Sequence, residues 1–144
     1  MNNRFTFPFL CLSGLLLLAI GGGIMLTPHA FYATNGIVLG DDPSLLSEVR
    51  APGGLLLACA VFILVGALRR ALRSQAVFVA VFVYGSFGLA RFLGMILDGM
   101  PSSGLVVSTA IELIVAAIGL LILYRPGAAA VRSSRELATA PAGR

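Results

Sequence analysis

Arg91 and Glu112 are the residues best placed to do chemistry in this chain, because each lies inside a long apolar stretch. A charged side chain at the centre of a membrane helix costs about 2.5–3.5 kcal/mol on insertion scales, so it persists where it is paired or wetted. The two have opposite signs. Asp98 follows Arg91 by seven residues and Tyr84 precedes it by seven, which places all three on one face of a helix. Glu48 and Arg50 stand just before another apolar stretch. Together Glu48, Arg50, Tyr84, Arg91, Asp98 and Glu112 form a candidate polar seam or ligand pocket. Such a seam can fix helix register as a buried network, line a pocket or a proton or solute path, or serve an active site. No nucleophile with its base and no set of metal donors accompanies it, so no catalytic residue, metal or cofactor is expected.

The remaining polar residues fit quieter roles. His29 is the single histidine and lies just past an apolar run, whereas a metal site needs three or four donors. With one histidine, Ser13, Ser102 and Ser103 have no triad to join. Gly21-Gly22-Gly23 lacks the Lys and Ser of a phosphate loop and falls within an apolar run, so it reads as a packing or bending element. Cys11 and Cys59 show no CxxC spacing and read as small buried hydrophobes.

The elements that must position the seam are membrane helices. The chain has 144 residues, 58% hydrophobic and 11% charged, against about 25% charged in soluble domains. Apolar runs at about 5–26, 51–68, 76–97 and 104–124 each approach the ~20 residues needed to cross the hydrocarbon core. The expected architecture is an all-α, integral membrane four-helix bundle over 5–124. Asp42-Pro43-Ser44 is a good helix start, so the second helix is expected to begin near Pro43, lie at the interface and kink at Pro52. The first run has a signal-like Arg4 but no convincing cleavage site, and is expected to be retained.

Arginines give the orientation. The net charge of +4 carries no lysine. Arg4, then Arg69, Arg70 and Arg73, then Arg125, Arg132, Arg135 and Arg144 fall on one side of a four-span arrangement. Asp41, Asp42, Glu48 and Asp98 fall on the other, with Arg50 alone among arginines there. The positive-inside rule then puts the N and C termini in the cytoplasm, and membrane topology accounts for the basic residues without nucleic acid. Phe31, Tyr32 and Tyr124 suit interfacial anchors. The connection from 27 to 50 is long and apolar, with a turn at Asn35-Gly36, and is expected to fold onto the outer mouth of the bundle. The segment 125–144, rich in Ala, Ser and Gly, reads as a mobile cytoplasmic tail.

Depth brings the two buried charges together. Arg91 lies about 10 Å below Asp98, and Glu112 about 12 Å below the outer end of its own helix. A tight turn makes these helices antiparallel neighbours, so an ion pair is natural. Ser86, Ala90, Gly94 and Asp98 on one helix, and Ser108, Glu112 and Ala116 on the other, form rows of mostly small residues expected to pack backbone to backbone.

With the spans laid out, three stretches carry a likeness. They are Glu48-Val49-Arg50-Ala51-Pro52-Gly53-Gly54, then Gly88-Leu89-Ala90-Arg91-Phe92-Leu93-Gly94 with Asp98-Gly99, then Ile111-Glu112-Leu113. In their order and spacing they resemble a bacterial membrane family, domain of unknown function (DUF) 4345, over about 5–124. Pro52 departs from the helix-compatible residue expected before the glycine pair. The resemblance implies one four-helix membrane domain with no assigned activity, and recurrent polar positions at Glu48, Arg50, Arg91, Asp98 and Glu112. A looser likeness to DoxX-like membrane proteins is one of fold alone.

The expected function is therefore that of a multi-pass protein of the bacterial cytoplasmic (inner) membrane, non-enzymatic, with a structural or accessory role. The alternative is a binder or small transporter of a lipid, quinone or small solute at Arg91 and Glu112. Expected partners are the lipid bilayer, a second copy or another membrane protein across a small-residue row, and a lipid or small-molecule ligand, with no nucleic acid.

Overall fold

A computed structural model of the chain describes residues 3–124. The segment expected to form a cytoplasmic tail, 125–144, lies outside the described residues, as do Arg125, Arg132, Arg135 and Arg144. The described residues form α1 (Asn3–Leu26), a short α2 (Pro28–Ala33), α3 (Pro43–Leu68), a 3₁₀ turn (Arg70–Leu72), α4 (Arg73–Asp98) and α5 (Ser103–Tyr124). Four of these, α1, α3, α4 and α5, are long and apolar enough to cross a membrane.

Each long helix buries a narrow stripe and leaves the rest of its apolar surface exposed. On α1 the buried positions include Thr6, Leu10, Ser13, Leu17, Gly21 and Ile24; on α3 they include Gly53, Leu56, Ala60, Ile63 and Ala67; on α5 they are Thr109, Glu112, Ala116 and Gly119. Steps of three and four residues average 3.5, the spacing that keeps one seam of a helix facing its neighbours in a bundle. Outside the stripe, side chains such as Leu12, Phe82, Leu97 and Leu121 are more than half exposed, as lipid-facing groups are. Two buried hydroxyls are satisfied within their own helices, Ser13 Oγ donating to the Phe9 carbonyl at 2.8 Å and Thr109 Oγ1 to that of Leu105 at 2.9 Å.

α3 starts where the Asp-Pro signal places it. Asp42 caps it, Oδ1 accepting from the Leu45 N–H at 2.9 Å, and Pro43 fills the first turn. The helix then runs unbroken through Pro52. Pro52 has no N–H, but the bond it forfeits is with Glu48, at the exposed start of α3. At the other end of α3, the Arg69 N–H bonds to the Val65 carbonyl at 2.8 Å, and Arg73 Nη2 reaches back to the Ala67 carbonyl at 3.1 Å. An arginine on the last carbonyls of a helix meets the negative end of its dipole.

α1 packs chiefly on α3 and α4 chiefly on α5, with α3 against α4 joining the two pairs. Backbone approach is closest where glycines face a partner. A Cβ on Gly53 would meet Ile24 Cγ2 at 2.7 Å, and one on Gly88 would meet Leu113 Cδ2 at 2.8 Å. The contact between α4 and α5 corrects one expectation. Ser86 and Ala90 are exposed, and α4 meets α5 through Val81, Gly85 and Gly88, which lie against Gly119, Ala116 and Leu113. That face is small at Gly85 and Gly88 but one helix position away from the expected row. Ser86, turned outward, satisfies its hydroxyl on the Phe82 carbonyl at 2.7 Å. On α5 the expected row is inward, with Glu112 and Ala116 buried and Ser108 half-buried.

The connection between α1 and α3 folds over one end of the bundle. Pro28 is buried, and Phe31 and Tyr32 pack edge to face, their centroids 5.7 Å apart, against the hydrophobic core. These two rings are half-buried, packed against the core from that end of the bundle. Gly36, at φ 75°, closes the turn that returns the chain toward α3. At the same end Gly99, at φ 95°, terminates α4 in a conformation that a Cβ disfavours.

Candidate functional site

α4 and α5 are joined by residues 99–102 alone, so they run antiparallel and bring Arg91 and Glu112 to one level. Arg91 Nε lies 3.3 Å from Glu112 Oε1. The approach has the distance of an ion pair without the alignment of a hydrogen bond, and Arg91 Nε has no hydrogen-bond partner. Glu112 Oε2 is buried and also has none. The Glu112 side chain is 10% exposed and that of Arg91 35%. A buried carboxylate oxygen without a donor is costly, because it loses water and gains nothing in exchange.

The pair borders a cavity of about 210 Å³ at the α2 end of the bundle. All four long helices wall it: Leu17, Ile20 and Ile24 from α1, Pro52 and Leu56 from α3, Val83, Tyr84, Phe87 and Arg91 from α4, and Leu105, Ser108 and Glu112 from α5. Phe31 and Tyr32 of α2, with Asn35 and Ile37, close it over. The walls are mostly apolar, with a few polar groups converging on one side. That is the usual make-up of a small-molecule site.

The expected seam is thereby divided. Arg91, Glu112 and Tyr84 border one cavity, but the Tyr84 hydroxyl is committed elsewhere, donating to the Ser13 carbonyl across to α1 at 2.7 Å. Its ring forms the wall and its oxygen ties two helices. Asp98 is exposed and lines a second, more open cleft with Arg91, Gly94, Met95 and Thr109, so Arg91 and Leu105 stand between the two spaces. Arg50 turns to the end of α1, its Nε donating to the Met25 carbonyl at 3.3 Å. Glu48 is exposed on the first turns of α3 and lines neither space. His29 pairs at the surface with Asp41, Nε2 to Oδ1 at 3.2 Å. Cys11 and Cys59 are free thiols, and among the described residues no group of three or more His, Cys, Asp or Glu could hold a metal.

Residue-type reasoning passed over part of the site. Ser108 enters the sequence argument only as a small residue, yet it precedes Glu112 by one helical turn and shares its cavity. Asn35 reads as a turn former and also lines the space. The signal for Ser108 was present in its i, i+4 spacing from Glu112. For Asn35, Phe31 and Tyr32 only the apolar character of their loop pointed inward.

The chain belongs to the family described as Domain of unknown function (DUF4345), whose model matches residues 8–123. Comparison with curated proteins and with solved structures gives no match. The chain's four long apolar helices are those of a multi-pass membrane protein.

Proposed function

We propose that this protein is a binder of a small lipid-like molecule or solute in the bacterial cytoplasmic membrane, with the cavity beside Arg91 and Glu112 as its site and both termini in the cytoplasm. The observation that carries the binding role is the apolar cavity of about 210 Å³ that has the Arg91–Glu112 ion pair in its wall. A seam that only held helices together would gain by closing on itself, with every lone pair satisfied. The structural alternative draws on the Arg91–Glu112 pair, which fastens α4 to α5. Fastening needs no cavity. No reaction is assigned to the site.

Native mass spectrometry of the full chain, released from its own membrane, tests this. The expected result is one co-purifying small molecule or lipid at fixed stoichiometry, lost in Ser108→Phe, whose ring would occupy the cavity. Equal adduct spectra for both proteins, or only a distribution of bulk lipids, would count against binding. The same spectra report the subunit count.

A further inference from the structure

We infer that the cavity takes an uncharged molecule whose hydrogen-bonding end lies under the α2 cap, against Tyr32, Asn35 and Ser108, with its apolar body pointing down the bundle; this rests on the binding role proposed above. Three observations converge. First, the cap end of the wall carries free polar atoms. The Tyr32 and Ser108 hydroxyls and the Asn35 carbonyl oxygen make no hydrogen bond among the described residues, and unlike Glu112 Oε2 none of them is sealed off. Ser13 and Thr109, by contrast, return their hydroxyls to their own helices. Second, these atoms gather in one place. The Tyr32 carbonyl accepts from the Asn35 N–H at 3.0 Å and the Ile37 N–H at 3.2 Å, which holds the cap in one tight turn. Asn35 Nδ2 donates to Thr34 Oγ1 at 3.3 Å, and Oδ1 reaches α5, where it would lie 2.7 Å from a Cβ on Gly104. Ser108 follows Gly104 by four residues, so it stands one turn deeper on the same face. Asn35 Oδ1 can only accept, whereas the two hydroxyls both accept and donate, so the end that meets them must carry a donor. Third, the rest of the wall is apolar and without net charge. Ser108 lies roughly 8 Å inside the cap end of α5, whereas Val83 lies roughly 22 Å inside that of α4, with Leu17, Leu56 and Phe87 also in the wall. Arg91 and Glu112, the charged residues that line the cavity, neutralise each other at 3.3 Å. An ion would give up its hydration there for no counter-charge. An engineered apolar cavity of about 150 Å³ accommodates benzene, so one of about 210 Å³ has room for a ring with a small substituent.

The test uses the full chain in lipid nanodiscs and four para-substituted toluenes of similar size. They are p-cresol as donor, p-methylanisole as acceptor only, p-xylene with no polar group and p-toluate as anion. Dissociation constants are measured by calorimetry against empty nanodiscs. The expected order has p-cresol about fivefold tighter than p-methylanisole, the scale of one neutral hydrogen bond, with p-toluate weaker than p-xylene. Asn35→Leu combined with Ser108→Ala removes two of the three polar atoms and locates the polar end. It should cut the preference for p-cresol to about twofold or less, while p-xylene binding changes by less than about twofold. Ser86→Ala, on the exposed face of α4, should keep the preference. A preference that survives the double replacement, equal binding of p-cresol and p-methylanisole, or tightest binding of p-toluate would overturn the polar-end assignment and leave the binding role standing. If no probe binds, both fall. Should the double variant fail to fold, Ser108→Ala alone and the ranking on the unaltered chain decide in the same way.

Discussion

At 3.3 Å, and with one partner nine-tenths buried, the Arg91–Glu112 pair makes each residue the other's main compensation for leaving water. Arg91→Leu alone strands the Glu112 carboxylate and should lower stability by about 3 kcal/mol, the low end for breaking a buried pair because Arg91 is partly exposed. The double replacement Arg91→Leu with Glu112→Leu should recover most of that loss, since it strands nothing. Thermal denaturation of the single and double variants in nanodiscs gives the comparison, and equal losses would show that the pair is weakly coupled. Tyr84→Phe isolates the other buried polar contact. Losing the bond to the Ser13 carbonyl should cost about 0.5–1.5 kcal/mol, near the modest values seen for hydrogen bonds within membranes. Thermal denaturation in nanodiscs checks it, and an unchanged melting temperature would show that the tie to α1 carries no stability.

Among elements, the face that α4 presents to α5 is the clearest place where residue size alone misleads. Ser86 and Ala90 are small and exposed, whereas Gly88 lies against Leu113 and the Glu112 Cβ. Gly88→Leu should therefore force α4 from α5 and destabilise by about 1–3 kcal/mol, the usual cost of overpacking. Ala90→Leu should stay within about 0.5 kcal/mol, as for an exposed position. Melting curves for the two variants separate the faces directly. Helix existence was legible because continuous apolar runs leave little choice in a bilayer, and the start of α3 was legible because Asp42-Pro43 is a local capping signal. The pairing of Arg91 with Glu112 was legible because a tight turn fixes relative depth. Rotation about the α4 axis was not, since every face of that helix is apolar and small residues occur on more than one of them. Nor was the split of the seam, because Arg50 and Tyr84 both find backbone carbonyls, partners that a count of side chains does not reveal.

At the scale of the molecule, charge and cavity lie at defined ends. The cavity, the α2 cap, Asp41, Asp42, Glu48 and Asp98 share one end; Arg69, Arg70 and Arg73 mark the other. The orientation proposed above, from the arginine bias of short connections, puts the arginine end in the cytoplasm and the cavity nearer the opposite side. On that orientation a ligand entering past the α2 cap would come from outside the cytoplasm or from the distal leaflet. Single cysteines placed in a chain carrying Cys11→Ala and Cys59→Ala can settle the direction. Ser44 and Ser74 are both exposed and lie at opposite ends. Ser44→Cys should react with a membrane-impermeant maleimide in intact spheroplasts, whereas Ser74→Cys should react only after the membrane is opened. The reverse pattern would turn the cavity toward the cytoplasm and make the ligand's source intracellular, and labelling of both sites in intact spheroplasts would defeat a single orientation.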